Sequence, residues 1–303
     1  LAYLYFKCKF LLLAEILLIS YSYCNFRRTE FVVYNSQTLR YLSRFRKKAQ
    51  IHLFVNSGMN REGIKNLEEF ISLNRKYLAK VEVTGICSHL ASADEDSILN
   101  QSQEEEFIIA LGILRAAGFF PRWIHLGNSA GLMTLRNNLL TAYRPGLALY
   151  GYSPFSDSRE TGVEDKLQPA LRVLSSIVAI QKLQPDEPVS YNESFRSSQA
   201  TTIGVIPFGY FEGLDRRLSN RAQFQVLTPD SAFWAPIAGR VCMNLTCLDL
   251  GFNRVEKGGT VVVISDNKAD RNSIFELAQD MHTIPYELLV GLQSNIRREI
   301  IWN

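Results

Sequence analysis

The first half of the chain alternates short apolar runs with segments of helical periodicity. Strands are predicted at residues 15–19, 31–34, 51–55, 81–87, 123–126 and 147–150. Helices are predicted at residues 36–44, 67–77, 103–117 and 129–135. Ser36 is the expected cap of the first helix, and Gly118 is the expected stop of the third. Repeated strand–helix units with crossover connections predict a parallel sheet, as in a β/α barrel or a doubly wound fold.

The second half changes to strand after strand with turn residues between them. Strands are predicted at residues 173–180, 202–206, 224–227, 240–250 and 260–264, with one helix at residues 273–281. Residues 155–166 lack apolar periodicity and predict a surface connector. We therefore expect a β/α domain at residues 1–166 and a β-rich domain at residues 167–303. A barrel is favoured for the first domain because the candidate site residues all follow strand carboxyl ends.

The composition favours a globular protein and argues against nucleic acid as a partner. The 303 residues are 47% hydrophobic, enough for a large core, and the net charge of +3 comes without a dense basic face. The five cysteines are odd in number and show no C-x-x-C spacing. Reduced thiols in the cytoplasm fit this pattern better than a disulfide or zinc framework.

The amino-terminal residues imitate part of a secretion signal. Lys7 and Lys9 precede an apolar stretch at residues 10–19, but Glu15 interrupts it and the stretch is too short to span a bilayer. We expect no membrane association and keep secretion as a minor alternative. Because the chain begins with Leu1, its true start is expected to lie upstream.

A cation, a proline and two glycines flank the apolar run at residues 147–150. Pro145 fixes the backbone and Gly146 permits a close approach, so the amides of this loop are expected to face an anionic or π-rich ligand beside Arg144. Alone, such a turn more often merely starts a strand. Its significance depends on the other motifs.

Eight short segments resemble, in order, signatures of the alanine racemases. They are residues 56–63, 88–94, 128–130, 144–146 with 150–151, 189–191, 207–210, 239–243 and 284–287. The resemblance implies a pyridoxal 5'-phosphate (PLP) enzyme that interconverts L- and D-alanine for peptidoglycan. It also implies an incomplete (β/α)8 TIM-type barrel, a mostly-β carboxyl-terminal domain, and a head-to-tail homodimer whose sites draw on both subunits.

The resemblance implies a set of cofactor-binding residues. Arg144 would face the pyridine nitrogen, which stays unprotonated because an arginine does not readily give up its proton. The phosphate would lie against residues from two loops and a carboxyl-terminal helix, namely Asn128, Ser129, Gly146, Leu147 and Tyr286. Amides at a helix start and in a glycine loop attract phosphate. A plain helix cap is the competing interpretation of Asn128 and Ser129.

Catalytic and substrate-binding residues are implied in the same way. Tyr191 would act as the base on one face of the substrate α-carbon, and His89 would link Tyr191 to Arg144. Arg61 would lie near the phenolic oxygen of the cofactor and the substrate carboxylate. The amide of Met243 would meet that carboxylate from the other subunit. Tyr210 would be a gate residue at the entrance.

Two departures from the family bear on activity. The segment with the lysine that carries PLP is not found, and neither Lys7 nor Lys9 has its sequence context. Two-sided proton exchange therefore needs a base that the chain as written does not supply. Phe54 stands where many members carry a lysine that braces Arg61, so Arg61 is expected to be less well oriented.

Three functions therefore compete. We prefer an alanine racemase whose given sequence lacks its amino-terminal part. A noncatalytic PLP-binding relic of the same fold is the alternative. A barrel-type PLP decarboxylase ranks last, because neither a run of adjacent glycines for the phosphate nor a catalytic cysteine in the second domain is found at a suitable place.

Overall fold

The structure is a computed structural model that describes residues 8–155 and 166–301. The chain divides into two compact units. One comprises the residues up to Leu149 with the segment 153–166, and the other comprises Tyr150–Tyr152 with the residues from Leu167 onward. The predicted domain boundary after Lys166 stays a prediction, and residues 156–165 of the predicted connector lie outside the described residues.

The first unit contains a parallel sheet of five strands in the order β1-β2-β3-β4-β5. The strands are β1 (Phe10–Leu12), β2 (Thr29–Val33), β3 (Gln50–Phe54), β4 (Glu82–Cys87) and β5 (Trp123–His125). The helices are α1 (Ser36–Leu42), α2 (Leu67–Leu78), α3 (Ile98–Ala116) and α4 (Ser129–Thr134). Each adjacent strand pair is parallel, as crossover connections require. The prediction of an incomplete β/α barrel is confirmed.

Local capping explains where the first helices begin. The Asn35 side chain, not Ser36 as predicted, accepts from the amide of Thr38 at 2.8 Å and caps α1. Helix α3 begins at Ile98, five residues before the predicted start, because Ser97 caps it. Residues 100–103 of this helix are polar, so the apolar periodicity of the sequence did not indicate its first turn.

Two predicted strands of the first unit are wrong. Residues 15–19 form no strand: Leu17 and Ile19 are exposed, and the Glu15 carboxylate accepts from the amides of Tyr34 and Asn35. Residues 147–150 form a 3-10 helix instead of a strand. The amide of Ala148 donates to a serine hydroxyl, described below, and the amide of Leu149 donates to Gly146 within the turn, so neither pairs with a strand.

The second unit is built from antiparallel sheets, as predicted. Its strands are β6 (Val173–Ser176), β7 (Ala179–Leu183), β8 (Pro188–Val189), β9 (Phe195–Arg196), β10 (Thr201–Ile206), β11 (Gln223–Leu227), β12 (Ala232–Pro236), β13 (Thr246–Gly251) and β14 (Thr260–Ile264). They pair in the orders β13-β10-β7, β12-β11-β14-β6 and β8-β9. Two helices follow, α5 (Ile274–Asp280) and α6 (Pro285–Gly291).

The long strand predicted at residues 173–180 is two strands in different sheets. The amide of Ile177 donates to Gly259 beside β14, whereas the amide of Val178 donates to Val205 of β10. The chain therefore changes sheets at this point. The strand predicted at residues 240–250 begins only at Thr246, because residues before it form a turn in which Cys242 N donates to Leu245 O. Strand β12 and helix α6 were not predicted.

Candidate active site

Arg144 is fixed by backbone carbonyls at the carboxyl ends of β4 and β5. Its Nη2 donates to the carbonyl oxygens of Ser88 at 2.6 Å and Leu126 at 3.1 Å. Its Nη1 donates to His125, both to the backbone oxygen at 3.0 Å and to the ring Nδ1. The Nε makes no hydrogen bond with the described residues. The guanidinium is thus rigid and retains one donor for a ligand.

Behind Arg144, a chain of buried polar side chains crosses the inner face of the sheet. His125 Nε2 lies 2.7 Å from His52 Nδ1, and His52 Nε2 lies 3.0 Å from a carboxylate oxygen of Glu30. Because arginine can only donate, His125 Nδ1 must accept. His125 then donates from Nε2 to His52, and His52 donates from Nε2 to Glu30. We call this chain the Glu30–His52–His125 relay.

Burial keeps both imidazoles of the relay neutral. Burial and the neighbouring Arg144 lower the pKa of His125 to about 2, and burial lowers the pKa of His52 below its ordinary value. Burial alone would raise the pKa of Glu30. The hydrogen bonds that its carboxylate accepts from Thr84, His52 and Lys9 outweigh this effect and lower the pKa to about 2. Glu30 is therefore the negative end of a chain whose positive end is Arg144.

His89 lies beside Arg144 in a loop that a buried glutamine holds. The Gln103 side chain accepts from the amide of Ala91 at 2.8 Å and donates to the carbonyl of His89 at 3.0 Å. Arg144 Nη2 is 3.4 Å from His89 Nδ1, so the predicted contact between these residues is present. Burial and the nearby charges of Arg144 and Arg61 lower the pKa of His89 to about 4.

Ser129 ties the Arg144 loop to the start of α4. Its buried hydroxyl accepts from the amides of Gly146 at 2.9 Å and Ala148 at 3.2 Å, and Leu147 is buried between them. The Asn128 side chain caps α4 through the amide of Gly131 at 3.0 Å. The predicted phosphate residues of the first unit thus lie together. The capping interpretation holds for the Asn128 side chain, and it leaves the phosphate role untested.

Arg61 lies at the tip of a closed loop after β3. The amide of Asn56 donates to Ile64 and that of Ile64 to Phe54, which closes the base of the loop. Gly63 has a φ of 110°, and a Cβ there would lie 2.6 Å from the amide of Asn56. The Arg61 guanidinium pairs with the Glu62 carboxylate through Nε at 2.5 Å and Nη2 at 2.6 Å.

Three loops of the second unit bring together Tyr191, Tyr210 and Met243. The Ser190 hydroxyl donates to the carbonyl of Arg240 at 2.8 Å. The amide of Tyr210 donates to Cys242 at 3.0 Å, and the following amide donates to Met243 at 2.8 Å. Tyr191 lies in a 3-10 turn, with 66% of its surface exposed.

Tyr286 lies on the first turn of α6. The opposite end of this helix meets the loop that carries Tyr210, since the amide of Gln293 donates to the carbonyl of Glu212 at 3.3 Å. The predicted site residues therefore fall into two groups, one in each unit. The first group gathers around Arg144 and the second around residues 190–191, 210–213 and 240–243.

The sequence analysis missed the relay and the glutamine behind His89. A signal was available, because His52, His125 and Glu30 are titratable residues inside apolar strand runs. A titratable side chain on a buried strand requires a partner. The partners could not be matched without the register, which places His52 opposite Gly85 and Cys87 opposite His125.

Two family models together match most of the chain. The model of the alanine racemase amino-terminal domain matches residues 4–154, and that of the carboxyl-terminal domain matches residues 170–300. An alanine racemase of Helicobacter pylori strain J99 is 31% identical over 259 residues, 83% of this chain and 67% of that protein. One of Beutenbergia cavernae is 33% identical over 257 residues, 82% of this chain and 66% of that protein.

Solved structures agree with these sequence matches. Alanine racemase of Clostridium difficile 630 superposes with a TM-score of 0.83 at 26% identity, over 95% of this chain and 75% of that one. Alanine racemase of E. faecalis gives 0.80 at 25% identity, over 96% of this chain and 78% of that one. The chain thus spans about two thirds of the length of its relatives. With both domains matched in order and at this identity, the chain belongs to the alanine racemase family.

Proposed function

We propose that this protein is a PLP-dependent alanine racemase that interconverts L- and D-alanine in the cytoplasm and supplies D-alanine for peptidoglycan. The observation that carries the proposal is Arg144, whose guanidinium is held by three carbonyls and a neutral histidine and keeps Nε as a donor. The PLP-binding β/α barrel domain is assigned to residues 1–166 and the β-domain to residues 167–303. Within the described residues, no helix combines the length and apolar character needed to cross a membrane.

The residues around Arg144 fit PLP. The pyridine nitrogen needs a donor that keeps its proton, and the Nε of Arg144 is one. The phosphate needs amides and hydroxyls, and Ser129 gathers two amides around its hydroxyl. Asn128, Gly146 and Leu147 frame this position, and Tyr286 would add its hydroxyl. When bound, PLP supplies a conjugated ring that withdraws electrons from the substrate α-carbon.

The residues of this chain then hold the charges and move the proton. Arg144 would hold the ring nitrogen through Nε and, because arginine retains its proton, would leave that nitrogen unprotonated. The relay keeps the guanidinium in place. Arg61 and the amide of Met243 bind the substrate carboxylate, and Tyr210 gates the entrance. The hydroxyl of Tyr191 takes or returns the α-proton on one face, with His89 linking it to Arg144.

A homodimer would complete each site. An exposed apolar patch in the second unit supports this, formed by Tyr191, Tyr210, Phe211, Met243 and Leu245. Hydrogen bonds between their loops make the patch continuous. Exposed aromatic and methionine side chains of this kind are enriched at protein interfaces. The patch also contains the residues expected to reach a partner's site.

The test is racemisation by the product of the complete coding sequence, supplied with PLP. L-Alanine should become D-alanine, and Tyr191→Phe should slow both directions equally, because the two enantiomers are equally stable. In deuterated water, the same variant should stop exchange of the α-proton for the enantiomer whose proton lies on the face of Tyr191, while the other enantiomer still exchanges. Tyr23→Phe, at a tyrosine in the first unit that is 83% exposed, is the matched control and should leave both rates and both exchanges unchanged. Equal loss of exchange for the two enantiomers would exclude a one-sided base. PLP binding without racemisation would instead favour the noncatalytic relic.

A further inference from the structure

The guanidinium of Arg61 has one partner among the described residues, the carboxylate of the next residue. Nε donates to Glu62 Oε2 at 2.5 Å and Nη2 donates to Glu62 Oε1 at 2.6 Å. The Arg61 side chain is 55% exposed, whereas that of Glu62 is 23% exposed. Glu62 is therefore the more buried member of the pair.

This contact uses one of the two edges of the guanidinium. Arginine can present the Nε–Nη2 edge or the edge formed by Nη1 and Nη2 to a carboxylate, each through two parallel hydrogen bonds. Glu62 takes the first edge. The second edge, with one N–H group of Nη1 and one of Nη2, stays available for another carboxylate.

The pair belongs to the site around Arg144. The charges of both Arg61 and Glu62 act on the pKa of His89, whose ring lies 3.4 Å from Arg144. The loop that carries the pair is closed at its base by the backbone bonds of Asn56 and Ile64. The Ser57 and Ser88 hydroxyls lie 2.7 Å apart and join this loop to the loop that holds Arg144. Arg61 therefore lies on a fixed loop at the strand ends where the substrate is expected.

We propose that Glu62 is a positioning residue. It holds Arg61 by its Nε–Nη2 edge and so presents the Nη1–Nη2 edge to the substrate carboxylate. The inference rests on the proposed function for the identity of the substrate. The inference gives an orienting role to Glu62, to which the sequence analysis assigned no function. Glu62 would also support the guanidinium of Arg61, which Phe54, an apolar residue, does not do.

Glu62 has two opposed effects on a second carboxylate. It repels the carboxylate, because the two anions lie on adjacent edges of the guanidinium, but the site is exposed, and water and salt screen the repulsion. It also removes most of the rotamer freedom of Arg61 before the ligand arrives, and that freedom is large for an unpaired arginine. The second effect is the larger, so Glu62 favours carboxylate binding.

The test measures acetate binding at Arg61 directly. In the full chain labelled with ¹⁵N, the Arg61 Nε–H signal, assigned through Arg61→Lys, is followed while acetate replaces chloride at constant ionic strength. We expect the Kd for acetate to rise about fivefold in Glu62→Gln. Glu62→Asp keeps the charge but shortens the reach, so its Kd should fall between the two. Glu299→Gln, which breaks an exposed pair with Arg297 in the second unit, is the control and should match the wild type.

The outcomes separate the inference from the proposed function. An unchanged Kd in Glu62→Gln would overturn the positioning role, and a lower Kd would show that Glu62 competes with the ligand. In the complete enzyme, the same variant should raise KM for alanine about fivefold with little change in kcat. If the complete enzyme does not racemise alanine, the proposed function fails while the acetate result still decides the role of Glu62.

Discussion

A glycine makes room for the buried relay on the inner face of the sheet. Gly85 lies opposite His52 in the pairing of β3 with β4, and a Cβ at Gly85 would lie 2.4 Å from the imidazole of His52. No real side chain tolerates such a contact, so the ring or the strand would have to move. The relay thus depends on a residue that makes no polar contact with it.

Gly85→Ala should destabilise the protein by about 1–3 kcal/mol, the usual cost of overpacking a close-packed interior. The measurement is urea unfolding followed by circular dichroism. Gly112→Ala is the matched control, because Gly112 lies in α3 with nothing within 4 Å of its would-be Cβ. That change should stabilise the helix by about 0.5–1 kcal/mol. Equal effects of the two substitutions would contradict the steric account.

At the scale of elements, helix α4 and the loop of Arg144 form one structure. Ser129 begins the helix and bonds the loop amides, while Asn128 caps the helix from outside. The predicted helix at residues 129–135 is confirmed. The strand predicted at residues 147–150 was wrong, because the amide of Ala148 donates to the side chain of Ser129 rather than to a neighbouring strand. Periodicity alone does not distinguish the two kinds of partner.

Two substitutions at Asn128 should separate its capping role from its proposed cofactor role. Asn128→Ala removes the cap and should cost about 1 kcal/mol of stability. Asn128→Asp keeps the cap, and with it the melting temperature, but adds a negative charge and should weaken PLP binding. Thermal unfolding and a PLP titration followed by absorbance measure the two effects. Unchanged PLP affinity in Asn128→Asp would remove Asn128 from the proposed phosphate site.

At the scale of the whole molecule, the apolar patch of the second unit is the surface that we expect to contact a partner. Phe211 is 50% exposed and Met243 is 53% exposed, on loops that are hydrogen-bonded to each other. Leaving several such side chains exposed to water together raises the free energy of the molecule. A second copy of the chain is the partner that the proposed shared sites require.

Phe211→Lys should weaken the proposed dimer, because it places a charge in an apolar contact. Sedimentation velocity across a dilution series measures the change, and we expect the dimer to dissociate at a concentration at least tenfold higher than for the wild type. Phe252→Lys is the control, since Phe252 is 74% exposed in the second unit and lies outside the patch. The two variants behaving alike would show that the patch is not the interface.

The sequence by itself determined most of the order of the elements, the change from strand–helix units to consecutive strands, and the family, because periodicity and short motifs are local properties of the chain. The resemblance also implied that His89 lies beside Arg144 and that Ser129 and Gly146 share one site. Only the tertiary structure decided which side chains meet across strands. The relay from Glu30 to Arg144 and the support of His89 by Gln103 depend on register and on the space left by Gly85, which are set by packing between segments distant in sequence.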